Sequence, residues 1–315
     1  MEYAAGVDFG GTFAKVGLIG RDGSILAKDA LPVDPGAGFE EILQPVARRI
    51  ASFRSQRSDK DRLVVIGVGM PGFIERHGGK VVGGCENIPG LRGKSAQAFL
   101  ESPLGVPAFS ENDATCAAAG ELAFGAGRKL SSFLLMTIGT AIGGGLVLGG
   151  RVYRGSRGFA GEVGHLCVVA DGVLCNCGSR GCFEQYASGT ALVRTYREKL
   201  RKRGCDDAAA TAKTIVDKAR SGDEPARETI DEGARYIAQA LGSILNLLDL
   251  EACLIGGGVA EAGDVLLEPV RRRLADYCWP EIAAGVQILR AELGNDAGIQ
   301  GAAAQALERL EGAGE

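Results

Sequence analysis

Gly161 to Glu184 reads GEVGHLCVVADGVLCNCGSRGCFE. His165 is followed by Cys175, Cys177 and Cys182, a spacing of H-x9-C-x-C-x4-C. One imidazole and three thiolates are the nitrogen and sulfur donors that Zn²⁺ takes in closed, four-coordinate structural sites. Gly178 and Gly181 allow the tight turns that such a loop needs. A cluster of buried core cysteines is the competing reading, since cysteine is among the most buried residue types. Core cysteines rarely share a glycine-punctuated loop with a histidine, and this chain has only two histidines. A disulfide fits poorly, because nine cysteines is an odd count and no secretory signal accompanies them. Four protein donors leave no open position, so the expected zinc is structural. It also fixes what the loop carries: Glu162 lies three residues before His165, and Glu184 two residues after Cys182. His165 retains a second ring nitrogen for a further hydrogen bond. The stretch reads as a substrate-binding loop pinned by metal.

The rest of the 315-residue chain is long enough for two domains. Apolar residues make up 46% and charged residues 23%, the balance of a soluble globular protein. A net charge of −4 offers no electrostatic footprint for nucleic acid. The basic runs Arg201 to Arg203 and Arg271 to Arg273 read as solvated helix faces. The 49 glycines gather in apolar settings such as GVDFGGT, GTAIGGG and LIGGGV, which favours phosphate-cradling turns over flexible linkers. No basic segment precedes an apolar run at the N-terminus, so a cytoplasmic protein is expected. Leu130 to Gly150 lacks charge, but Gly139 and Gly143 to Gly145 break it beside Thr137 and Thr140. Two short buried strands joined by a glycine-rich turn fit it better than a membrane helix.

Strands are predicted at Ala4 to Asp8, Phe13 to Ile19 and Ile25 to Ala30. The first hairpin tip contains Asp8, Gly10, Gly11 and Thr12, with Lys15 on the returning strand. Its N–H groups and hydroxyl suit phosphate oxygens, and Asp8 suits water-mediated Mg²⁺. A plain glycine hairpin fits equally well. Phe39, Ile42, Leu43, Val46, Ile50 and Phe53 follow helical spacing, with Pro45 expected to kink that helix or to start it late. A buried strand, Leu63 to Gly69, runs into Met70-Pro71-Gly72, a strand-end position where ligands gather in open α/β sheets. Gly84 to Gly90, which includes Asn87, is a polar loop. A strand at Val106 to Ser110 precedes Glu111-Asn112-Asp113 and an alanine-rich helix from Ala114 to about Phe124. Asn112 and Asp113 suit a helix cap, and equally an amide that orients a substrate beside a carboxylate that takes a hydroxyl proton.

Leu134 to Ile138 and Gly145 to Leu148 form a second hairpin, with Thr140 in its tip. Helices follow near Thr190 to Arg203, Thr211 to Ser221 and Pro225 to Leu248, the last capped by Asp223. Ala252 to Ile255 enters Gly256-Gly257-Gly258, and a helix is predicted from there to about Tyr277. The triple glycine lets a base or ribose approach the backbone, or is simply a tight turn. A strand at Gln287 to Ala291 and a helix at Gly298 to Leu310 close the chain.

Asp8-Phe9-Gly10-Gly11-Thr12 with Lys15, Glu111-Asn112-Asp113-Ala114, the GTAIGGG turn, Glu162 to His165 and the CNCGSRGCFE run together resemble the ROK family (repressor, open reading frame, kinase). Among its members the likeness is greatest to bacterial ROK glucokinases, and it covers nearly the whole chain. The resemblance implies the α/β actin-like ATPase fold (ribonuclease H-like, hexokinase). Two α/β lobes would flank a nucleotide and sugar cleft: residues 1–113 plus about 298–315, and residues 114–297 with the zinc loop. It implies phosphoryl transfer from MgATP to the 6-hydroxyl of a hexose, in glycolysis, by a homodimer. Under it, Asp113 is the general base, and Asn87, Asn112, Glu162, His165 and Glu184 bind the sugar. Asp8, Gly10, Gly11, Thr12, Lys15 and Thr140 lie on the phosphate side, and Gly257 and Gly258 lie near the adenosine.

The chain departs from the family at Ala141, where the second phosphate turn often has glycine. Family repressors carry a helix-turn-helix ahead of this body, and a first strand beginning at about Ala4 is expected to leave no room for one. Glucose is the expected acceptor. N-acetylglucosamine, N-acetylmannosamine, fructose and mannose are the alternatives, because one group more or less changes discrimination by only ~1–3 kcal/mol. A sugar sensor without turnover, and polyphosphate in place of ATP, are the remaining ones.

Overall fold

The computed structural model describes residues 1–312. Residues 313–315, the tail of the stretch assigned to the smaller lobe, lie outside the described residues. In chain order the elements are β1 (Glu2–Phe9), β2 (Phe13–Gly20), β3 (Ile25–Pro32), α1 (Phe39–Ser55), β4 (Arg62–Met70), β5 (Phe73–Ile74), β6 (Val81–Gly83), α2 (Ala96–Leu104), β7 (Ala108–Asn112) and α3 (Asp113–Phe124). The second half holds β8 (Phe133–Ile138), β9 (Ile142–Leu148), β10 (Arg151–Tyr153), α4 (Glu184–Ala187), α5 (Gly189–Lys202), α6 (Ala212–Arg220), α7 (Glu224–Leu248), β11 (Ala252–Gly256), α8 (Asp264–Leu274), α9 (Pro280–Gly285), β12 (Gln287–Arg290) and α10 (Ala297–Gly312). The chain divides into two units: Met1–Lys129, Gly145–Gly161 and Asn295 onward, and Leu130–Gly144 with Glu162–Gly294.

The first unit is built on a five-stranded sheet, ordered β3-β2-β1-β4-β7. β1 to β3 are antiparallel hairpin neighbours, and β1, β4 and β7 run parallel. Alternation along β1 sorts its side chains between two cores. Tyr3, Ala5, Val7 and Phe9 join Leu43, Val46 and Ile50 of α1 and Leu100 of α2. Ala4 faces the other way, with Val65, Ile299, Ala303 and Ala306. On that face α10 lies backbone-to-backbone on the sheet. A Cβ at Gly6 would stand 1.9 Å from the Ile299 carbonyl, and one at Gly67 1.8 Å from that of Ala302. α10 meets α3 as closely, since a Cβ at Gly301 would fall 1.7 Å from the Cys116 carbonyl. Glycine is required at these positions by lack of space.

In the second unit β11 pairs in parallel with β8 on one side and β12 on the other. β9 continues the sheet beyond β8. Ile142 to Gly144 of β9 belong to this unit, and the remainder of β9, with β10, belongs to the first. The 25-residue α7 has Asp223 as its N-cap, accepting from the Ala226 amide, and buries Ile230, Ala234, Ile237, Leu241 and Leu245. Among the described residues no helix is long and apolar enough to cross a membrane. Leu130 to Gly150 contains β8 and β9, as its central glycines imply.

Several boundaries differ from the sequence expectation. α1 begins at Phe39, so Pro45 does not delay it but sits inside, where its missing N–H removes one helical bond. β7 occupies Ala108–Asn112 and not Val106–Ser110, because it is pulled into register with β4. β9 starts at Ile142, which shortens the second hairpin tip to Gly139 to Ala141, closed by the Gly139 amide on the Ala141 carbonyl at 2.9 Å. The segment after Gly258 is not one helix to Tyr277. A short 3-10 turn, Gly258–Ala262, is broken from α8 by Gly263 at φ 59°. α2 and α9 have no counterpart among the predicted helices; both are short, and each contains a proline.

Candidate active site and metal centre

The C-terminal ends of the parallel strands in the first unit bring Asp8, Asn112 and Asp113 to one sheet edge. Asp8 is in register with Gly69 of β4, and Met70 with Asn112 of β7. Asn112 caps α3 by accepting the Thr115 amide at 3.0 Å, and its own amide group donates to the Gly72 carbonyl at 3.3 Å. Asp113 is the first residue of α3, partly exposed, and accepts the Ala114 amide at 2.8 Å. A Cβ at Gly69 would lie at van der Waals contact with the Asp113 backbone and the Cys116 sulfur, both at 3.4 Å, so β4 packs directly beneath the start of α3. Cys116 beneath it is fully buried, and burial, with the charges of Glu111, Asp8 and Asp113, pushes its thiol well up.

Asp8 pairs with Lys15 Nζ at 3.2 Å, and Lys15 also donates to the Asn295 carbonyl at 3.0 Å. Gly298, in the first turn of α10, leaves room for the Asp8 carboxyl: a Cβ there would lie 2.5 Å from it. Burial raises the Asp8 pKa, with Lys15 opposing. Gly10 donates to the Phe13 carbonyl at 2.9 Å, and Gly11 and Thr12 are exposed. Nothing lies within 4 Å of a Cβ built on Gly11. Internal packing therefore does not explain glycine there. Asn87 sits exposed on a separate turn, closed by the Ile88 amide on the Cys85 carbonyl at 2.9 Å.

In the second unit, Thr140, Gly257 and the start of α5 converge. Gly257, at φ 81°, has Ile138 backbone atoms 2.5 to 2.8 Å from its Cβ direction. The Gly189 amide donates to the Gly139 carbonyl at 2.7 Å, and the Thr190 hydroxyl to the Thr140 carbonyl at 2.8 Å. Gly258 faces open space. Thr190 was read only as a helix start; its bond to the hairpin joins residues far apart in sequence and leaves no local signal.

His165, Cys175, Cys177 and Cys182 place one donor atom each within 4.8 Å of one another. His165 Nδ1 is 3.7 Å from Cys175 Sγ, and Cys177 Sγ is 3.5 Å from Cys182 Sγ. Zn–S bonds of ~2.3 Å in a tetrahedron give edges of ~3.8 Å, so the donor set fits such an ion. The loop is prepared by backbone pairing: the Phe183 amide donates to Leu166 at 2.8 Å and the Val168 amide to Gly181 at 2.9 Å. The Val173 amide donates to the Tyr186 hydroxyl at 2.8 Å, and Gln239 of α7 to the Val168 carbonyl at 2.8 Å. None of the nine cysteines is in a disulfide. Burial, and then hydrogen bonding with Cys177 and Cys175, push Cys182 up to about 12. Desolvation acts on Cys177 in the same sense, but the Ser179 amide and the neighbouring thiols outweigh it and bring it down to about 7.

Two carboxylates, Glu162 and Glu184, flank the imidazole. Glu184 Oε1 is 3.0 Å from Cys175 Sγ and 3.9 Å from His165 Nδ1, and Glu162 Oε2 is 3.9 Å from His165 Nε2. Desolvation, reinforced by Glu184 and opposed by His165, raises the Glu162 pKa. Gly164 lets the loop lie against β9, since a Cβ there would be 2.2 Å from the Ile142 carbonyl.

A family model described as the ROK family matches residues 4–309. The chain is 36% identical over 315 residues to a glucokinase of Thermotoga maritima, covering 98% of each. It is similar in structure to a ROK family glucokinase from Streptomyces griseus solved with glucose and AMPPNP, with a TM-score of 0.81, 34% identity and coverage of 97% of this chain and 99% of that one. A ROK hexokinase from Thermus thermophilus matches with a TM-score of 0.80, 33% identity and coverage of 98% and 99%. The fold is accordingly the actin-like ATPase (hexokinase) fold.

Proposed function

This chain belongs to the ROK family, and from that premise we propose that it is an ATP-dependent hexose kinase acting on the 6-hydroxyl of glucose. The observation that carries the reading is the single sheet edge that presents Asp8 and the Asn112–Asp113 pair at the ends of parallel strands. Asp113 takes the proton of the sugar hydroxyl. A positioned carboxylate in that role contributes roughly 10²- to 10⁴-fold, because a neutral hydroxyl is a poor nucleophile. Asn112 orients the same hydroxyl, and Asn87, Glu162, His165 and Glu184 grip the others. Gly10, Gly11, Thr12 and Thr140 cradle phosphate oxygens, and Asp8, with Lys15 beside it, would hold the Mg²⁺ that neutralises phosphate charge. Gly257 and Gly258 pass close to the adenosine. Most of the remaining acceleration is alignment and charge neutralisation.

Zinc is the ion we assign to His165, Cys175, Cys177 and Cys182; with four protein donors it supplies rigidity to the loop and no chemistry to the transfer. Nδ1 of His165 faces the thiols, which leaves Nε2 for a sugar hydroxyl. Glu184 opens α4 directly after the last two loop residues, Cys182 and Phe183, so the braced loop sets its carboxylate.

A coupled assay across a hexose panel, run with ATP and with polyphosphate, tests the reading. Glucose with ATP is expected to give the highest kcat/KM. An amino sugar or fructose ahead by a large factor, or no sugar-dependent ADP at all, overturns it.

A further inference from the structure

Glu111 is 6% exposed, yet it carries a carboxylate beside the candidate base. Its Oε2 accepts from Arg154 Nε at 2.5 Å and from Arg309 Nη2 at 2.9 Å. Its Oε1 accepts the backbone amide of Asn112 at 3.1 Å. Tracing the bonds onward closes a circuit. Arg154 Nη2 donates to Gln305 Oε1 at 2.8 Å, and Gln305 Nε2 donates to the Thr115 carbonyl at 3.2 Å. The Thr115 amide donates to Asn112 Oδ1, and the Asn112 amide returns to Glu111. Thr115 and Gln305 are each 4% exposed. Asp113 sits on the one turn of backbone that this ring encloses.

Stability is a poor account of the arrangement. A buried ion pair is often no more stabilising than apolar side chains of equal volume, because desolvating the charges offsets their attraction. What a fully satisfied buried network supplies is a single geometry. Here it holds a strand end and a helix start, where backbone torsions would otherwise be free to adjust. A displacement of about 1 Å of a reacting group costs as much as 10²-fold in rate. Arg154 also fixes the segment that leads to Glu162: the Ala160 amide donates to the Arg154 carbonyl at 3.2 Å.

We propose that Glu111 is a positioning residue: the ring Glu111–Arg154–Gln305–Thr115–Asn112 sets the orientation of the Asn112–Asp113 pair toward the hydroxyl. The inference rests on the phosphoryl-transfer reading for the role of Asp113, but the ring itself does not.

Glu111→Gln and Gln305→Met test it, assayed where circular dichroism shows each variant fully folded. Gln305→Met opens the ring on α10, away from the Glu111–Asn112–Asp113 stretch in sequence, and keeps the test alive should Glu111→Gln fail to fold. The expected result is a fall in kcat of tenfold or more in both, with the KM for MgATP within twofold. A purely structural role would lower melting temperature and leave kcat of the folded enzyme within twofold, which overturns the proposal. If the wild type itself transfers no phosphoryl group, the kinase reading fails on its own. The ring is then read by amide hydrogen exchange: the Thr115 amide should exchange at least tenfold faster in Gln305→Met, and unchanged exchange overturns the positioning role.

Discussion

His165 Nε2 lies 3.9 Å from Glu162 Oε2, on the edge of the imidazole opposite the Nδ1 that faces Cys175. The ring thus stands between a thiol cluster and a carboxylate, so whatever orders the thiols also orders the carboxylate's partner.

Purified protein should therefore carry about one zinc per chain, measured by elemental analysis. Cys177→Ser removes one donor and should lower zinc content and sugar affinity together, the latter tenfold or more by calorimetry. Lost metal with unchanged sugar affinity would separate the loop from sugar binding.

Asp113→Asn keeps the shape of the side chain and the bond from the Ala114 amide while removing the base. kcat should fall by roughly 10²- to 10⁴-fold, with the sugar dissociation constant within a few fold. Equal damage to binding and rate would point to a misplaced helix start and not to proton transfer.

Gly11→Ala and Gly301→Ala should behave oppositely. At Gly301 the new methyl meets the Cys116 carbonyl at 1.7 Å, so α10 must shift away from α3. A loss of about 1–3 kcal/mol or more is expected in denaturant melts. At Gly11 the methyl meets nothing within 4 Å and the backbone is not left-handed, so stability should hold within ~0.5 kcal/mol. The KM for MgATP should nevertheless rise several-fold. An unchanged KM would favour a plain hairpin over a phosphate cradle.

Asp8→Asn should raise the melting temperature at neutral pH. Burial holds the Asp8 pKa above its ordinary value, more strongly than Lys15 lowers it. A raised carboxyl contributes stability below its unfolded pKa of about 3.9 and loses it as pH rises through the folded value. The gain from Asn should consequently be larger at pH 8 than at pH 5, in melts at both. A gain that shrinks toward pH 8 would contradict the burial argument.

Much of the site was legible because its parts are local. The donor spacing from His165 to Cys182 lies in one loop, and the hairpin tips and strand ends are marked by Gly, Thr, Asn and Asp at fixed offsets. α2 was legible in retrospect: Ser95 caps it, Ala96, Leu100 and Leu104 line its buried face, and Gly105 ends it. Pro103 and its brevity hid it. The break at Gly263 was not legible, since one glycine inside a helical pattern is ordinarily tolerated.

By itself the sequence determined the cluster of His165 with Cys175, Cys177 and Cys182, the two glycine hairpins and the strand-end position of Asn112 and Asp113. Each depends on residues within one loop, hairpin or strand end, where local chain geometry brings the parts together. Only the tertiary structure decided what Glu111 does. Its partners stand 43 and 198 positions away, and Gln305 reaches Thr115 across 190. Contacts of that range form when α10 settles on glycines of β1, β4 and α3, and no periodicity or spacing records which buried side chains that packing will join.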